Sequence, residues 1–120
     1  MTPVDQTLFW TPEGNRGNCQ QAATASILDL PLDEVPNFHD CEQGFWRGFK
    51  DFIQSRGYVV MALRKDGWCR HSGAHYLAYG QSPRGVTHAV VYCRGVLAHD
   101  PHPSRAGILD VEEINVLVRA

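Results

Sequence analysis

Hydrophobic periodicity changes once along this chain, at Gly57, and that change limits the folds open to it. Before Gly57 the apolar residues recur at helical spacing. Cys19, Ala22, Ala23, Ser26, Ile27 and Leu30 form an i, i+3, i+4 stripe that Pro31 ends. Phe45, Trp46, Phe49, Phe52 and Ile53 form a second stripe within about 41–55, with Gly57 where a helix C-cap belongs. After Gly57 the segments 58–63, 75–79, 86–93, 96–99 and 115–118 are short, β-branched and aromatic, and they predict strands. Helices first and strands after is the order of an α+β domain with an antiparallel sheet. The first helix is small near Cys19 and large at its far end. Small residues permit close approach to another backbone, so it is expected to be central and buried. Residues 1–17, punctuated by Pro3, Pro12, Gly14 and Gly17, read as an extended arm and loop.

At 120 residues the chain has the size of one domain, 1–120, with a single core. Net charge is −2 and no basic run occurs, so nucleic acid is not an expected partner. The opening Met-Thr-Pro-Val-Asp-Gln has no signal-peptide pattern, and no apolar run is long enough to span a bilayer. No membrane partner is expected, and the expected location is the cytoplasm. Of the four cysteines, Cys19, Cys41, Cys69 and Cys93, reduced thiols are expected there. A monomer or weak oligomer is expected.

Chemistry concentrates at three places. Cys19 follows Gly17-Asn18 at a helix start, with Asn18 a good N-cap residue. The helix N-terminus and a nearby imidazolium favour the reactive thiolate. His88 opens one strand and Asp100 closes the next, across a hairpin turning at Arg94-Gly95. If Arg94 is the centre, His88 faces Asp100. With a strict two-residue loop it faces Pro101, and Asp100 is one step off. His99 alternates with Asp100 and should point the other way. A thiol, an imidazole and an acid that orients it are the parts of a cysteine nucleophile site. The bland alternatives are a buried free cysteine and a cross-hairpin surface pair.

The arrangement Gln6, Asn18-Cys19, His88-Ala89-Val90-Val91 and Asp100-Pro101 resembles papain-like cysteine peptidases. It is most similar to the compact branch that removes double-glycine leaders from bacteriocins. The likeness runs from Gln6 to Pro101 and keeps the order Cys, His, Asp. It implies a papain-like fold, with the N-terminal helix packed on the antiparallel sheet. It also implies Cys19, His88 and Asp100 as catalytic residues and a peptide or protein as substrate, with hydrolysis of a peptide or isopeptide bond and no cofactor. An acyltransferase of transglutaminase type uses the same parts, and a non-catalytic binding or inhibitory module could keep the scaffold. Gln6 is the implied oxyanion donor if residues 11–17 loop out, with Asn15 or Asn18 as alternatives, beside the Cys19 backbone N–H. Gln20 stands where that branch has glycine. Trp68 and His75 are expected near the substrate cleft. Cys69, His71 and His75 do not make a strong zinc spacing, and no metal is expected.

Overall fold

A computed structural model describes residues 1–64 and 72–120. These residues form an α+β domain. Helices α1 (Cys19–Leu28) and α2 (Phe45–Ser55) precede strands β1 (Tyr58–Leu63), β2 (Tyr76–Gln81), β3 (Thr87–Cys93), β4 (Val96–His99) and β5 (Glu113–Arg119). The five strands make one sheet in the order β1-β5-β2-β3-β4, with every neighbouring pair antiparallel.

Strand alternation sorts β2 and β3 between two cores. Leu77, Tyr79, Ala89 and Val91 pack with Ala23 and Ala25 of α1 and Phe49 and Ile53 of α2. Tyr76, Ala78 and Val90 join Ile114 and Val116 in the second core, which Ile108 and Val111 help cover. Both faces of β2 and β3 are therefore buried, which is why those strands read as nearly continuous apolar runs. Ala22, Ala23 and Ala25 are fully buried, in keeping with a close approach of α1 to β3. Burying an aromatic or aliphatic side chain such as Phe49 or Ile53 contributes about 1.5–3 kcal/mol each.

The elements depart from the sequence expectations at several places, among them both helices and the β3–β4 hairpin. Helix α1 stops at Leu28, because Asp29 turns left-handed at φ 55° and closes the end with its own N–H. Helix α2 starts at Phe45, after a turn in which Gly44 has φ 98°. A 3-10 turn at Phe38–Asp40 brings Phe38 fully into the aromatic cluster of Phe45, Phe49 and Phe52. The β3–β4 pairing begins in two-residue-loop register, with Cys93 opposite Val96 and Tyr92 opposite Leu97, then slips at a bulge so that Val91 faces His99.

Gly48 breaks the amphipathic run of α2 for a packing reason. A Cβ built there would lie 2.6 Å from Cys41 Sγ and 2.7 Å from its Cβ. Gly48→Ala should therefore lower stability by about 1–3 kcal/mol in denaturant unfolding, although alanine favours the helix. A gain in stability would show that the Cys41 turn yields freely.

Candidate active site

The bulge decides how His88 meets Asp100. With the register shifted, Asp100 is a diagonal neighbour of His88 rather than its direct partner, still within reach for long polar side chains. His88 Nε2 and Asp100 Oδ1 are 2.6 Å apart, with the two residues only 4% and 1% exposed. Asp100 Oδ1 also accepts from the His102 N–H at 2.9 Å, and its Oδ2 accepts from the Gly107 N–H at 2.7 Å. His99 serves different neighbours, the Val4 carbonyl at 3.0 Å and Asp5 at 3.2 Å.

Asp100 holds Nε2, so Nδ1 is the nitrogen left for the Cys19 thiol, which lines the same two cavities as His88. Burial works against a charge on His88, but the hydrogen bond to Asp100 and the neighbouring Cys19 outweigh it and raise the ring from 6.5 to about 9. Burial likewise opposes ionisation of Asp100. The bonds from His88 and from the His102 and Gly107 amides prevail and lower it from 3.8 to about 2. The geometry thus favours an imidazolium beside the thiol at neutral pH, oriented by an ionised acid.

Asn18 occupies the N-cap position of α1, but its side chain makes no cap hydrogen bond. Instead Oδ1 accepts from the Thr7 and Leu8 N–H groups at 3.0 and 2.8 Å. The first-turn amides of α1, including that of Cys19, are left without a side-chain cap. The same bonds dock the N-terminal arm, which the Pro101 carbonyl also holds by accepting from the Gln6 N–H at 3.1 Å. Gln6 is consequently buried beside the site, where it lines a small cavity of about 110 Å³ together with Cys19 and His88. Its Nε2 donates to the Leu8 carbonyl at 2.9 Å and keeps a second N–H. Asn15 is engaged elsewhere, its Oδ1 accepting from the Gly17 N–H at 2.8 Å. Gly17 turns with φ 76°, and a Cβ there would come within 3.2 Å of the Trp10 backbone nitrogen.

A larger cleft of about 440 Å³ also reaches Cys19 and His88, walled by Trp10, Phe45, Trp46 and Tyr79. Trp10 and Trp46 are 53% and 47% exposed. Trp68, expected at the cleft, lies outside the described residues, as do Cys69 and His71. His75 precedes β2 at the strand end remote from Gly80, the register partner of His88. Its charge is felt by Asp29, beyond the C-terminus of α1, so the structure does not bring it to the site.

Sequence reasoning did not find Gln20, Gln21, Tyr79 or Asn115. Tyr79 Oη accepts from Gln20 Nε2 at 2.9 Å and Asn115 Nδ2 at 3.0 Å, fixing the helix start to the sheet. Burial raises the Tyr79 hydroxyl pKa, so it remains a neutral anchor. Gln21 Nε2 donates to the Leu32 and Val35 carbonyls at 3.1 and 2.7 Å. The consecutive glutamines after the cysteine were the available signal, but their partners lie far along the chain. Cys19, Cys41 and Cys93 are free thiols. Among the described residues no His, Cys, Asp and Glu cluster could hold a metal ion, and no helix is long and apolar enough to cross a membrane.

Comparison of the chain with family models, curated proteins and solved structures finds no match.

The His88–Asp100 pair links folding to pH in a definite direction. The raised His88 contributes fully below 6.5, and that contribution is lost as pH rises through about 9. The lowered Asp100 contributes fully above 3.8, and its share is lost as pH falls through about 2. Thermal unfolding of the wild type should therefore show an alkaline decline from 6.5 to about 9 that Asp100→Asn flattens. Asp100→Asn should also destabilise by about 1–3 kcal/mol, because an amide cannot accept every hydrogen bond that the carboxylate accepts. Matching pH profiles for the two proteins would contradict the pairing.

Proposed function

We propose that this chain is a thiol-dependent acyl-transfer enzyme of the papain-like kind, hydrolysing a peptide or isopeptide bond through Cys19, His88 and Asp100. The observation that carries the reading is the buried 2.6 Å His88–Asp100 bond, with Cys19 and that same ring lining both cavities of the site together. The Cys19 thiolate attacks the carbonyl carbon, a C–S bond forms, and the carbonyl electrons move onto oxygen. The Cys19 N–H and the second N–H of Gln6 stabilise that oxyanion. As the intermediate collapses, His88 gives its proton to the leaving nitrogen and the C–N bond breaks. Water then loses a proton to His88 as it attacks the acyl-cysteine, releasing a carboxylic acid and restoring the thiolate. An amine in place of water gives transfer by the same steps.

The test uses an activated ester, p-nitrophenyl acetate, on the full chain. Acetylation of Cys19 should be seen by mass spectrometry, with continued nitrophenolate release. Cys19→Ala should abolish both, and the variant should fold because alanine suits the small-residue stripe of α1. Gln6→Ala should cut turnover roughly 10²–10³-fold, while alkylation of Cys19 by iodoacetamide, which forms no tetrahedral oxyanion, should change little. Acetylation spread evenly over the cysteines, without turnover, would favour a non-catalytic module on this scaffold.

A further inference from the structure

The chain has more acidic than basic residues, 13 against 11. The walls around Cys19 have the opposite balance. Arg16, Arg84, His39 and His102 join His88 in lining the two cavities that meet at the thiol, and no Asp or Glu among the described residues does so. Elsewhere Arg47 pairs with Asp51 and Arg105 with Asp5, while Arg56 and Arg119 lie over aromatic rings. Arg16 and Arg84 are exposed and have no carboxylate partner among the described residues; Arg84 donates only to Ser104 Oγ at 3.0 Å. Their field is felt locally. Burial first, and then the charge of Arg84, disfavours a proton on His102, and burial and Arg16 do the same at His39. An anion in the cleft would relieve this crowding of positive charge.

A second observation concerns acceptors rather than charge. Gln6 and Gln20 are only 7% and 3% exposed, yet the Oε1 atom of each is buried without a hydrogen-bond partner. Gln6 borders the smaller cavity and Gln20 the larger. Buried acceptors without donors are costly, and each of these amides would have to turn toward the cavity it borders to find a donor. A peptide brings such donors in its backbone N–H groups, and a bare anion brings none.

We infer that the substrate is a peptide carrying a carboxylate close to its reacting carbonyl, with Arg84 and Arg16 receiving that carboxylate at the smaller cavity. This rests on the acyl-transfer reading and adds the charge of the substrate to it. The carboxylate belongs either to an acidic side chain or to a chain terminus, and both present the same planar anion to an arginine.

Three chloroacetyl probes separate these cases by their rates of alkylating Cys19 in the full chain. Chloroacetyl-alanine amide is neutral, chloroacetyl-alanine carries a terminal carboxylate, and chloroacetyl-aspartic acid α-amide carries only the side-chain carboxylate. At least one anionic probe should outpace the neutral one, and the faster of the two identifies the source. The anionic-to-neutral ratio should fall roughly three- to fivefold in Arg84→Gln and further in the double variant with Arg16→Gln, and it should shrink with added salt. Both arginines are exposed, so the variants should fold. A ratio that is the same in wild type and double variant, with Cys19 still labelled faster than Cys41 and Cys93, would overturn this inference alone. Labelling of Cys19 by the neutral probe no faster than Cys41 and Cys93 would overturn the acyl-transfer reading and this inference with it.

Discussion

A carboxylate that is 1% exposed must have its charge answered by its neighbours, and Asp100 gathers the local structure around that requirement. It takes hydrogen bonds from the His102 and Gly107 amides and from the His88 ring. The amide bonds curl the segment after β4 back beneath the strand, and the ring bond fixes the imidazole at the start of β3. Arg105 reinforces the curl by donating to the Asp100 carbonyl at 2.6 Å while it pairs with Asp5. An unpaired Asp100 would leave a buried charge unanswered, so the same bonds that orient His88 also stabilise the loop.

The N-terminal arm depends on this loop and on α1 together. Its backbone is stitched to the Ser26 hydroxyl at Val4, to the Pro101 carbonyl at Gln6 and to the Asn18 side chain at Thr7 and Leu8. Those bonds lay Gln6 beside Cys19 and carry Phe9 to His102, where the rings meet edge to face at 5.4 Å. The helix start is fixed from the other side by Gln20 on Tyr79. Cys19, His88 and Gln6 thus come from separate elements held by short polar links to backbone and side chain.

What the sequence revealed and what it hid follow from the range of each interaction. The change of period at Gly57 is a local signal, and the order of helices and strands followed from it. His88 and Asp100 are only 12 residues apart across one hairpin, so their proximity was legible, although the bulge that makes them diagonal neighbours was not. Gln6 was named from resemblance, and its burial depends on the Pro101 carbonyl far along the chain. Asn18 looked like a cap because its type and position fit. The arm offers it two backbone donors, and they win its side-chain oxygen. Trp10 and Trp46, rather than His75, wall the cleft because the 10–16 turn folds back with Trp10 bridging to Arg16, and because α2 turns Trp46 onto Tyr79. Neither contact has a periodic signature.

The central claim is that Cys19 and Asp100 together hold His88 as an imidazolium at neutral pH. Nuclear magnetic resonance of the His88 ring through a pH titration measures this directly, with the wild type compared against Cys19→Ala. The account predicts a His88 midpoint near 9 in the wild type and a lower one once the thiol is removed. A midpoint at or below the ordinary 6.5, unmoved by loss of Cys19, would contradict it.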